Sequence, residues 1–373
     1  MRVSIVYSSA YPGPNPGAKR IALYVRGLRS AGVAANVICT YRPTSGRVWC
    51  LAWKIIQPII VVAHLVRRAN KVDVIIAYGF GWVSLLTLRA YTLACGNRLV
   101  LELNELPGAV YANWFTEWWL PKTINRLLLS RLVLPMIDGF IVISRALEEF
   151  VLREVGAGVA VIRVPILIDT HLSQRSTIDK QVTKPFLLHS GALSDRKDGI
   201  VGVFEAFAKV NVELSGGLHF YLTDSTAPHV TRMAINTIVR SYDLQANVHF
   251  LGMISEEELI WFQRNCSMLI LNKPDNDQNR HNFPTKIGEY LRERRPIIFT
   301  PVGEMASFLT DGVNAIETPV DRPDILAKKI RFVLENPVHT DKLANHGYEL
   351  AAAQFDFRNH GGRLATFISN LVT

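Results

Sequence analysis

Residues 282–299 read NFPTKIGEYLRERRPIIF and contain, in immediate succession, a proline turn, a short helical pattern and an apolar run. Lys286 and Glu289 are three positions apart, so they share one face of the predicted helix. The free N–H groups at a helix start attract an anion, and a lysine in the first turn adds a charge suited to phosphate. A carboxylate one turn later can accept two hydrogen bonds from the diol of a ribose. The stretch therefore predicts a site for a nucleoside diphosphate, followed after Pro296 by a buried strand.

Short β-branched runs alternate with helical patterns along the rest of the chain, which is typical of parallel sheets flanked by helices. The strands predicted in the first half lie near 3–7, 35–40, 72–77, 98–102, 139–143 and 159–164, with helices near 18–31, 48–69, 82–94, 114–136 and 145–154. The strands predicted in the second half lie near 185–190, 218–222, 248–251, 268–271, 297–300 and 315–317. Helices are predicted there near 200–210, 323–335, 339–354 and 358–371.

Two such halves in 373 residues predict an α/β protein with two doubly wound, Rossmann-like domains facing a central cleft. We expect a first domain at 1–170, a polar linker at 171–184 and a second domain at 185–356. The remaining residues, 357–373, predict a helix that packs back on the first domain.

Composition narrows the class of protein. Hydrophobic residues make up 49% and charged residues 20%, which excludes a disordered chain. Cys39, Cys50, Cys95 and Cys266 form no CxxC pair, so they indicate a reducing compartment and no metal site. No secretory signal and no run of about 18–20 apolar residues is found, so we expect a cytoplasmic protein. The net charge of +9 favours phosphorylated substrates or an anionic membrane over nucleic acid, because no nucleic-acid module is recognised.

The opening stretch resembles the donor-nucleotide motif of the family-4 glycosyltransferases of the GT-B fold, in which a Phe-Pro pair precedes a helix with a ribose-binding glutamate. The resemblance implies a retaining glycosyltransferase whose second domain binds a UDP or GDP sugar and whose first domain binds the acceptor. Glu289 would hold the ribose, while Lys286 and the amides near Thr285 would stabilise the departing diphosphate without a metal or other cofactor. Further donor contacts are implied for Met253, Asn282, Phe283 and Pro284.

Residues 189–199, HSGALSDRKDG, resemble the Gly-Arg…Lys-Gly segment whose cations neutralise the leaving diphosphate in this family. Gly191 and Lys197 match the pattern, but Ala192 stands at the arginine position. Arg196 substitutes for that arginine from a neighbouring position, or Arg196 and Lys197 are a solvated loop pair.

Two further positions are assigned by the resemblance. The family has two glutamates eight positions apart, and His281 stands where the first is expected. This histidine could bind sugar hydroxyls or carry charge near the diphosphate, or it could mark a changed donor or lost activity. The first loop, 8–20, lacks GxGxxG, so it argues against a nicotinamide site. Gly17 would lie near the donor diphosphate, and the alternative is an ordinary strand-to-helix turn.

Two polar segments follow predicted strands. Asp275-Asn276-Asp277 is a DxD triplet, the metal signature of the other large glycosyltransferase fold, but we interpret 272–281 as a polar loop that orders over the donor. Glu102, Asn104 and Glu105 close the fourth strand, where they either orient an acceptor hydroxyl or have a helix-capping or loop-stabilising role. Glu105 is the candidate catalytic residue among them.

Two helical patterns of the first half combine aromatic residues with cations. They contain Trp49, Trp53, Lys54, Arg67, Arg68 and Lys71, and then Trp114, Phe115, Trp118, Trp119, Pro121, Lys122, Arg126 and Arg131. This combination suits a membrane interface that presents a lipid-linked acceptor. The alternative is a pair of core helices with snorkelling ends, or an oligomer contact.

The resemblance implies as partners a nucleotide-sugar donor and a glycan or lipid-linked acceptor, with peripheral contact at the cytoplasmic face of the inner membrane. Members with this layout often build bacterial polysaccharides or glycolipids. Two rival functions stay open: a nucleotide-sugar epimerase of the same fold, and a non-catalytic nucleotide-sugar-binding protein, which Ala192 and His281 suggest.

Overall fold

The computed structural model describes residues 1–13, 15–39, 47–67, 72–106, 127–172, 185–191, 193–223 and 227–373, with the backbone alone for 47–55. The chain divides into two compact units. The first contains Met1–Asp169, His281–Phe283 and Asp356–Thr373, and the second contains Thr170–Arg280 and Pro284–Phe355.

The first unit is built on a parallel sheet of six strands in the order β2-β1-β3-β4-β5-β6. The strands are β1 (Arg2–Tyr7), β2 (Ala34–Cys39), β3 (Val74–Tyr78), β4 (Arg98–Leu103), β5 (Gly139–Val142) and β6 (Ala160–Arg163). The helices are α1 (Pro16–Ser30), α2 (Arg47–Arg67), α3 (Trp82–Cys95) and α4 (Arg145–Val155). Ile5 pairs with Val37 on one side and with Ile76 on the other. The central strands are continuous apolar runs because helices cover both faces of such a sheet.

One predicted helix of this unit differs from the structure. Residues 114–126 of the predicted helix 114–136 lie outside the described ranges. Its end is not a regular α-helix, since Leu129–Val133 form a π-helical turn and Leu134–Met136 a 3-10 turn. Pro135 lacks an N–H and its ring clashes with the carbonyl four residues earlier, which distorts the helix at this point.

The C-terminal helix, α13 (Phe357–Val372), belongs to the first unit and packs on α1. The two helices meet at Gly27 and Gly361, where a Cβ on Gly361 would overlap the Gly27 carbonyl group. Leu364 and Ile368 of α13 are buried in the core of this unit. Helix α13 is therefore part of the first hydrophobic core, although it is the last element of the chain.

The second unit has its own parallel sheet in the order β12-β11-β10-β7-β8-β9. The strands are β7 (Phe186–His189), β8 (His219–Leu222), β9 (Val248–Phe250), β10 (Met268–Leu271), β11 (Ile297–Phe299) and β12 (Ile316–Glu317). The helices are α5 (Asp195–Asp198), α6 (Ile200–Glu213), α7 (His229–Ser241), α8 (Glu256–Asn265), α9 (Asp277–His281), α10 (Lys286–Arg292), α11 (Pro323–Glu335) and α12 (Pro337–Gln354). Because β7, β10 and β11 are adjacent, the loops that follow them meet at one edge of the sheet.

Four helices of the second half were not predicted: the four-residue α5, together with α7, α8 and α9. Helix α7 has an amphipathic pattern with Thr231 and Ile235 buried, and α8 begins with a capping box between Ser255 and Glu258. The expected loop at 272–281 is wrong in its second half, because α9 occupies it. Arg280 N donates to the carbonyl of Asn276, which closes this short helical turn.

Among the helices that the structure describes, none combines the length and apolar character needed to cross a bilayer.

Candidate functional site

Lys286 belongs to a buried charge cluster at the carboxyl edge of the second sheet. Its Nζ lies 3.6 Å from Oδ1 of Asp198, and Nζ of Lys273 lies 2.7 Å from the same oxygen. The exposed fractions of the side chains are 22% for Lys286, 8% for Lys273 and 10% for Asp198. The three residues come from α10, the loop after β10 and α5, so the tertiary fold brings them together. Two cations around one carboxylate leave the cluster with a net positive charge.

Gly191, directly after β7, provides the space that Lys286 occupies. A Cβ at position 191 would lie 3.0 Å from Cε and 3.1 Å from Nζ of Lys286. The φ of Gly191 is +103°, a conformation that side-chain-bearing residues rarely adopt. Its N–H donates to Oγ1 of Thr223 at 2.9 Å, which fixes the turn. The structure therefore brings together the predicted donor residues Gly191 and Lys286.

Helix α10 is held against β7 by a buried tyrosine. The hydroxyls of Tyr290 and Ser190 are 2.7 Å apart, and the N–H of Ser190 donates to the Tyr290 hydroxyl at 3.3 Å. Burial raises the pKa of Tyr290 well above its ordinary value, so the group stays a neutral hydrogen-bonding partner. Ile287, Tyr290 and Leu291 face the core, while Lys286 and Glu289 are half-buried. The spacing of the motif thus gives the shared face that the sequence predicts.

The electrostatics of the cluster are dominated by burial and by mutual charge. Burial alone would raise the pKa of Asp198, but Lys286, Lys273 and His189 together hold it far below its ordinary value. Burial lowers the pKa of Lys286, an effect opposed by Asp198 and strengthened by Lys273. Asp198 is therefore ionised across the physiological range, and its negative charge favours the charged form of Lys286.

Arg196 and Lys197 lie on the four-residue helix α5, with exposed side chains. Their carbonyl groups accept from the side-chain amides of Asn276 at 2.8 Å and Asn279 at 3.2 Å. Arg196 also lines a cavity of about 370 Å³ shared with Glu205 and other residues of the second unit. Ala192 lies outside the described residues. The inward-facing residue of α5 is Asp198, which the sequence reasoning missed.

The first aspartate of the DxD triplet, Asp275, forms an ion pair with Arg280 of its own segment. Both oxygens of Asp275 accept from Arg280, at 2.6 Å from Nε and 2.9 Å from Nη2. Within the described part of the chain, no group of three or more histidine, cysteine and acidic side chains is arranged to hold a metal ion.

The residues just before Lys286 divide between the two units. His281, Asn282 and Phe283 belong to the first unit, where Ser144 Oγ donates to the His281 carbonyl and Phe283 is buried. Pro284 and Thr285 belong to the second unit and are half-buried. Oδ1 of Asn282 is buried and has no hydrogen-bond partner among the described residues.

Met253 is 95% exposed and follows Gly252, whose φ is +69°. Its place in donor binding stays a prediction.

The first unit has a cavity of about 330 Å³ at the carboxyl edge of β1, β3 and β4. Tyr7, Gly17, Tyr78, Asn104 and Glu105 are among the residues that line it. A Cβ on Gly17 would overlap the Tyr7 hydroxyl, which itself donates to Oδ1 of Asn15 at 2.6 Å. Asn104 Nδ2 donates to the Tyr78 hydroxyl at 2.6 Å. Close packing of the two tyrosines accounts for the glycine, and Glu105 is half-buried at the same edge.

The contacts of Glu102 favour the stabilising alternative over a role in acceptor orientation, although the residue also lines this cavity. It is buried, and its oxygens accept from Arg20 Nε at 2.7 Å and from the Tyr24 hydroxyl at 2.9 Å. Arg20 also donates to the carbonyls of Val164 and Pro165. The carboxylate is thus used to join α1, β4 and the segment after β6, which is the stabilising alternative.

Most of the aromatic and cationic residues expected at a membrane fall outside the described side chains. These are Trp49, Trp53, Lys54, Arg68, Lys71, Trp114, Phe115, Trp118, Trp119, Pro121, Lys122 and Arg126. Arg67 and Arg131 are described and exposed. The described part of α2 exposes Ile56 at 43%, Ile59 at 61% and Val66 at 59%, which is an apolar row along one helix face.

Residues 172–350 match the family described as glycosyl transferases group 1, and no curated protein matches the chain. Similar solved structures include a sucrose-phosphate synthase (tll1590) from Thermosynechococcus elongatus, with TM-score 0.77, 17% identity, and coverage of 100% of this chain and 99% of that chain. Anabaena Alr3699/HepE in complex with UDP has TM-score 0.71 and 16% identity, covering 99% and 100%. A glycosyltransferase from Rickettsia africae ESF-5 has TM-score 0.72 and 10% identity, covering 100% and 98%.

The structural matches establish the fold, and the sequence match covers the region that contains Lys286 and Glu289. Both findings confirm the resemblance inferred from the sequence. Residues 172–350 of the chain are thus similar to the glycosyl transferases group 1, and the fold of the chain is GT-B.

Proposed function

We propose that this chain is a retaining, metal-independent glycosyltransferase of the hexosyltransferase type. It transfers a sugar from a UDP or GDP sugar to a hydroxyl of a glycan or lipid-linked acceptor, in the synthesis of a bacterial polysaccharide or glycolipid. The match of residues 172–350 to group 1 glycosyl transferases supports the class of reaction. The UDP bound to HepE supports a nucleotide as the leaving part of the donor.

The observation that carries the proposal is the positive cluster of Lys286, Lys273 and Asp198 beside Gly191. When the bond between sugar and diphosphate breaks, negative charge accumulates on the diphosphate oxygens. A fixed cation in a partly buried site stabilises that charge strongly, because little water screens it. Lys286 has the more exposed side chain of the two lysines, so it is the one that would contact phosphate.

Glu289 supplies the second contact to the nucleotide. It follows Lys286 by one turn on the half-buried side of α10, so ammonium and carboxylate can bind adjacent groups of one ligand. We assign the diphosphate to Lys286 and the ribose hydroxyls to Glu289. Lys197 and Arg196 would add outer charge, and the roles of Met253, Asn282, Phe283, Pro284, Thr285 and His281 remain predictions from the resemblance.

The acceptor is assigned to the cavity of the first unit. Its wall includes Tyr7 and Tyr78, whose rings pack edge to face with centroids 5.3 Å apart, and aromatic walls suit a sugar ring or an apolar tail. Asn104 and Glu105 supply polar groups at the same edge, where Glu105 would orient the attacking hydroxyl. Gly17 lies in this wall as well.

A lipid-linked acceptor would be met at the cytoplasmic face of a membrane. The exposed Ile56, Ile59 and Val66 of α2, with Arg67 at its end, form a face that suits the headgroup boundary of an anionic bilayer. Flotation with vesicles of mixed phosphatidylglycerol and phosphatidylethanolamine tests this contact. Ile59→Ser would reduce co-flotation, and unchanged flotation of that variant would argue against α2 as the contact.

Calorimetry with UDP and GDP tests the nucleotide site, with Glu289→Ala as the variant that removes the ribose contact. We expect that variant to weaken nucleotide binding by about tenfold or more, the scale of lost hydrogen bonds to a charged group. Arg145→Ala serves as a control, since it removes an exposed charge that pairs with Glu149 of its own helix. Full nucleotide affinity in Glu289→Ala would refute the ribose assignment.

Product analysis separates the proposal from its rivals. Transfer to an acceptor with the anomeric configuration of the donor, read by NMR, supports a retaining transferase. Conversion of a nucleotide sugar without an acceptor would identify an epimerase, as the same fold allows. Binding of nucleotide sugar with neither reaction would identify a non-catalytic binding protein.

A further inference from the structure

Asp198 is shared unequally by its two lysines. Its Oδ1 is 2.7 Å from Nζ of Lys273, a hydrogen-bonding distance, and 3.6 Å from Nζ of Lys286, which is too long for one. The carboxylate therefore pairs more closely with Lys273 than with Lys286. The longer and weaker ion pair of Lys286 leaves more of its charge for an anionic partner.

Lys273 is fixed in place by groups that have no contact with solvent. Its N–H donates to Oγ1 of Thr300 at 2.7 Å, and this fully buried hydroxyl contacts the Lys273 carbonyl at 2.8 Å. Asp198 is fixed in turn through Gly199, whose carbonyl accepts from Asn272 Nδ2 at 2.9 Å. A Cβ on Gly199 would lie 2.7 Å from that nitrogen, so only glycine allows this approach. The pair Lys273–Asp198 is thus built into the junction of β10, β11 and α5.

We infer that Lys273 is a positioning residue that binds Asp198 and thereby leaves Lys286 as a net cation for an anionic ligand. The inference rests on the proposed function, in which that anion is the diphosphate of the donor. The motifs of the nucleotide site do not assign this role, because Lys273 lies outside them and Asp198 stands within residues 189–199 without being one of the positions that the resemblance matches.

The charge balance explains why Lys273 is needed. With both lysines present, the cluster carries two positive charges and one negative charge. Without Lys273, the Asp198 carboxylate would form a close ion pair with Lys286. That pair would be strong, because two opposite charges attract each other strongly in a buried site. Lys286 would then be neutralised although it is intact. Removing Asp198 together with Lys273 would return the net charge to positive.

We expect UDP affinity to fall when Lys273 is replaced and to return when Asp198 is replaced as well. In Lys273→Met, UDP binding measured by calorimetry at pH 7.5 weakens by about tenfold or more, because the charge-assisted bond of Lys286 to phosphate is lost to Asp198. In the double variant Asp198→Asn/Lys273→Met, UDP affinity returns to within about threefold of the parent chain, a small residual on the scale of 1.4 kcal/mol per tenfold. Lys209→Met, which removes an exposed lysine of α6, leaves affinity unchanged.

The pH dependence of UDP binding is a second test, which measures the electrostatic coupling between Asp198 and Lys286. In Asp198→Asn, Lys286 loses the nearer carboxylate that favours its protonated form, and keeps the repulsion of Lys273 and the weaker attraction of Glu289. UDP affinity should therefore fall more steeply between pH 7 and pH 9 in this variant than in the parent chain. A purely structural role of the Lys273–Asp198 pair would change stability in urea without changing this pH profile.

Inorganic pyrophosphate, titrated in parallel, separates failure of the inference from failure of the proposed function. If UDP binds the parent chain and Lys273→Met equally well, or if the double variant binds no better than Lys273→Met, the inference is wrong and the nucleotide site stands. If pyrophosphate binding depends on Lys273 while UDP and GDP do not bind, the nucleotide assignment is wrong and the inference stands. If no diphosphate binds the parent chain, both are overturned.

Discussion

The substitution Gly191→Ala tests the spatial relation between the first turn of the second unit and Lys286. The φ of +103° is disfavoured for alanine, and adopting a left-handed backbone costs about 1–2 kcal/mol per residue. The new Cβ would also lie 3.0 Å from Cε and 3.1 Å from Nζ of Lys286, so the ammonium must move by a few tenths of an ångström. Hydrogen bonds to a charged group contribute about 1.5–3 kcal/mol, so the displaced lysine should lose about tenfold or more in UDP affinity.

A matched control separates backbone strain from displacement of the lysine. Gly312, also in the second unit, has a φ of +69° and no atom within 4 Å of a Cβ built on it. Gly312→Ala should therefore reduce the urea midpoint by a similar amount while leaving UDP affinity unchanged. If Gly191→Ala also keeps the parent UDP affinity, measured by calorimetry, then Lys286 does not act from the position that Gly191 creates.

Three further results are expected. Tyr290→Phe would leave Ser190 without its buried partner and cost about 1–3 kcal/mol of unfolding free energy in urea; an unchanged midpoint would show that α10 is held by its apolar contacts alone. Arg20→Met would leave the buried Glu102 without its cation, which we expect to cost about 3–5 kcal/mol at pH 7, measured by urea unfolding; a loss below 1 kcal/mol would contradict this. Burial lowers the pKa of Lys286, and phosphate binding needs its protonated form. UDP affinity should therefore fall as pH rises, and the fall should begin below the pH range in which an ordinary lysine titrates. Calorimetry between pH 7 and pH 10 checks the direction of this change.

The architecture could be predicted from local patterns because buried strands are recognisable as short apolar runs. Runs such as 74–78 and 268–271 are wholly buried, so the apolar β-branched pattern and the structural role coincide. Helix α7 was missed because the polar Thr231 is buried while Val230 and Met233 are exposed, and because no side-chain cap marks its start. The Lys286–Glu289 face was predictable because a helix fixes the relation of residues three apart.

The rest of the charge cluster was not predictable in the same way. Asp198 and Lys273 are 75 positions apart and meet only because β7 and β10 are neighbours in the sheet. No local pattern specifies the order of strands in a sheet. Two strands with similar sequences could exchange positions in the sheet, and the periodicity of each would stay the same. The sequence contains only a weak indication of this pairing. Asp198 and Lys273 both lie in segments that follow strands, at the sheet edge where ligands of α/β proteins bind. Glu102 shows why position at a strand end does not by itself decide between binding and structure, because its buried contacts with Arg20 and Tyr24 favour the structural alternative.

The contact of α13 with α1 has a consequence for synthesis on the ribosome. Helix α13 follows the whole second unit along the chain, so during synthesis the groove at Gly27 stays open to solvent until the second unit has been made. A fragment cut at residue 169 would leave apolar positions around Ile21, Leu28 and Val164 without their cover, and should require the peptide 356–373 in trans to become soluble. Joining residue 373 to residue 1 and opening the chain near 355 would instead place the helix directly before β1, so that the first unit could complete its core early.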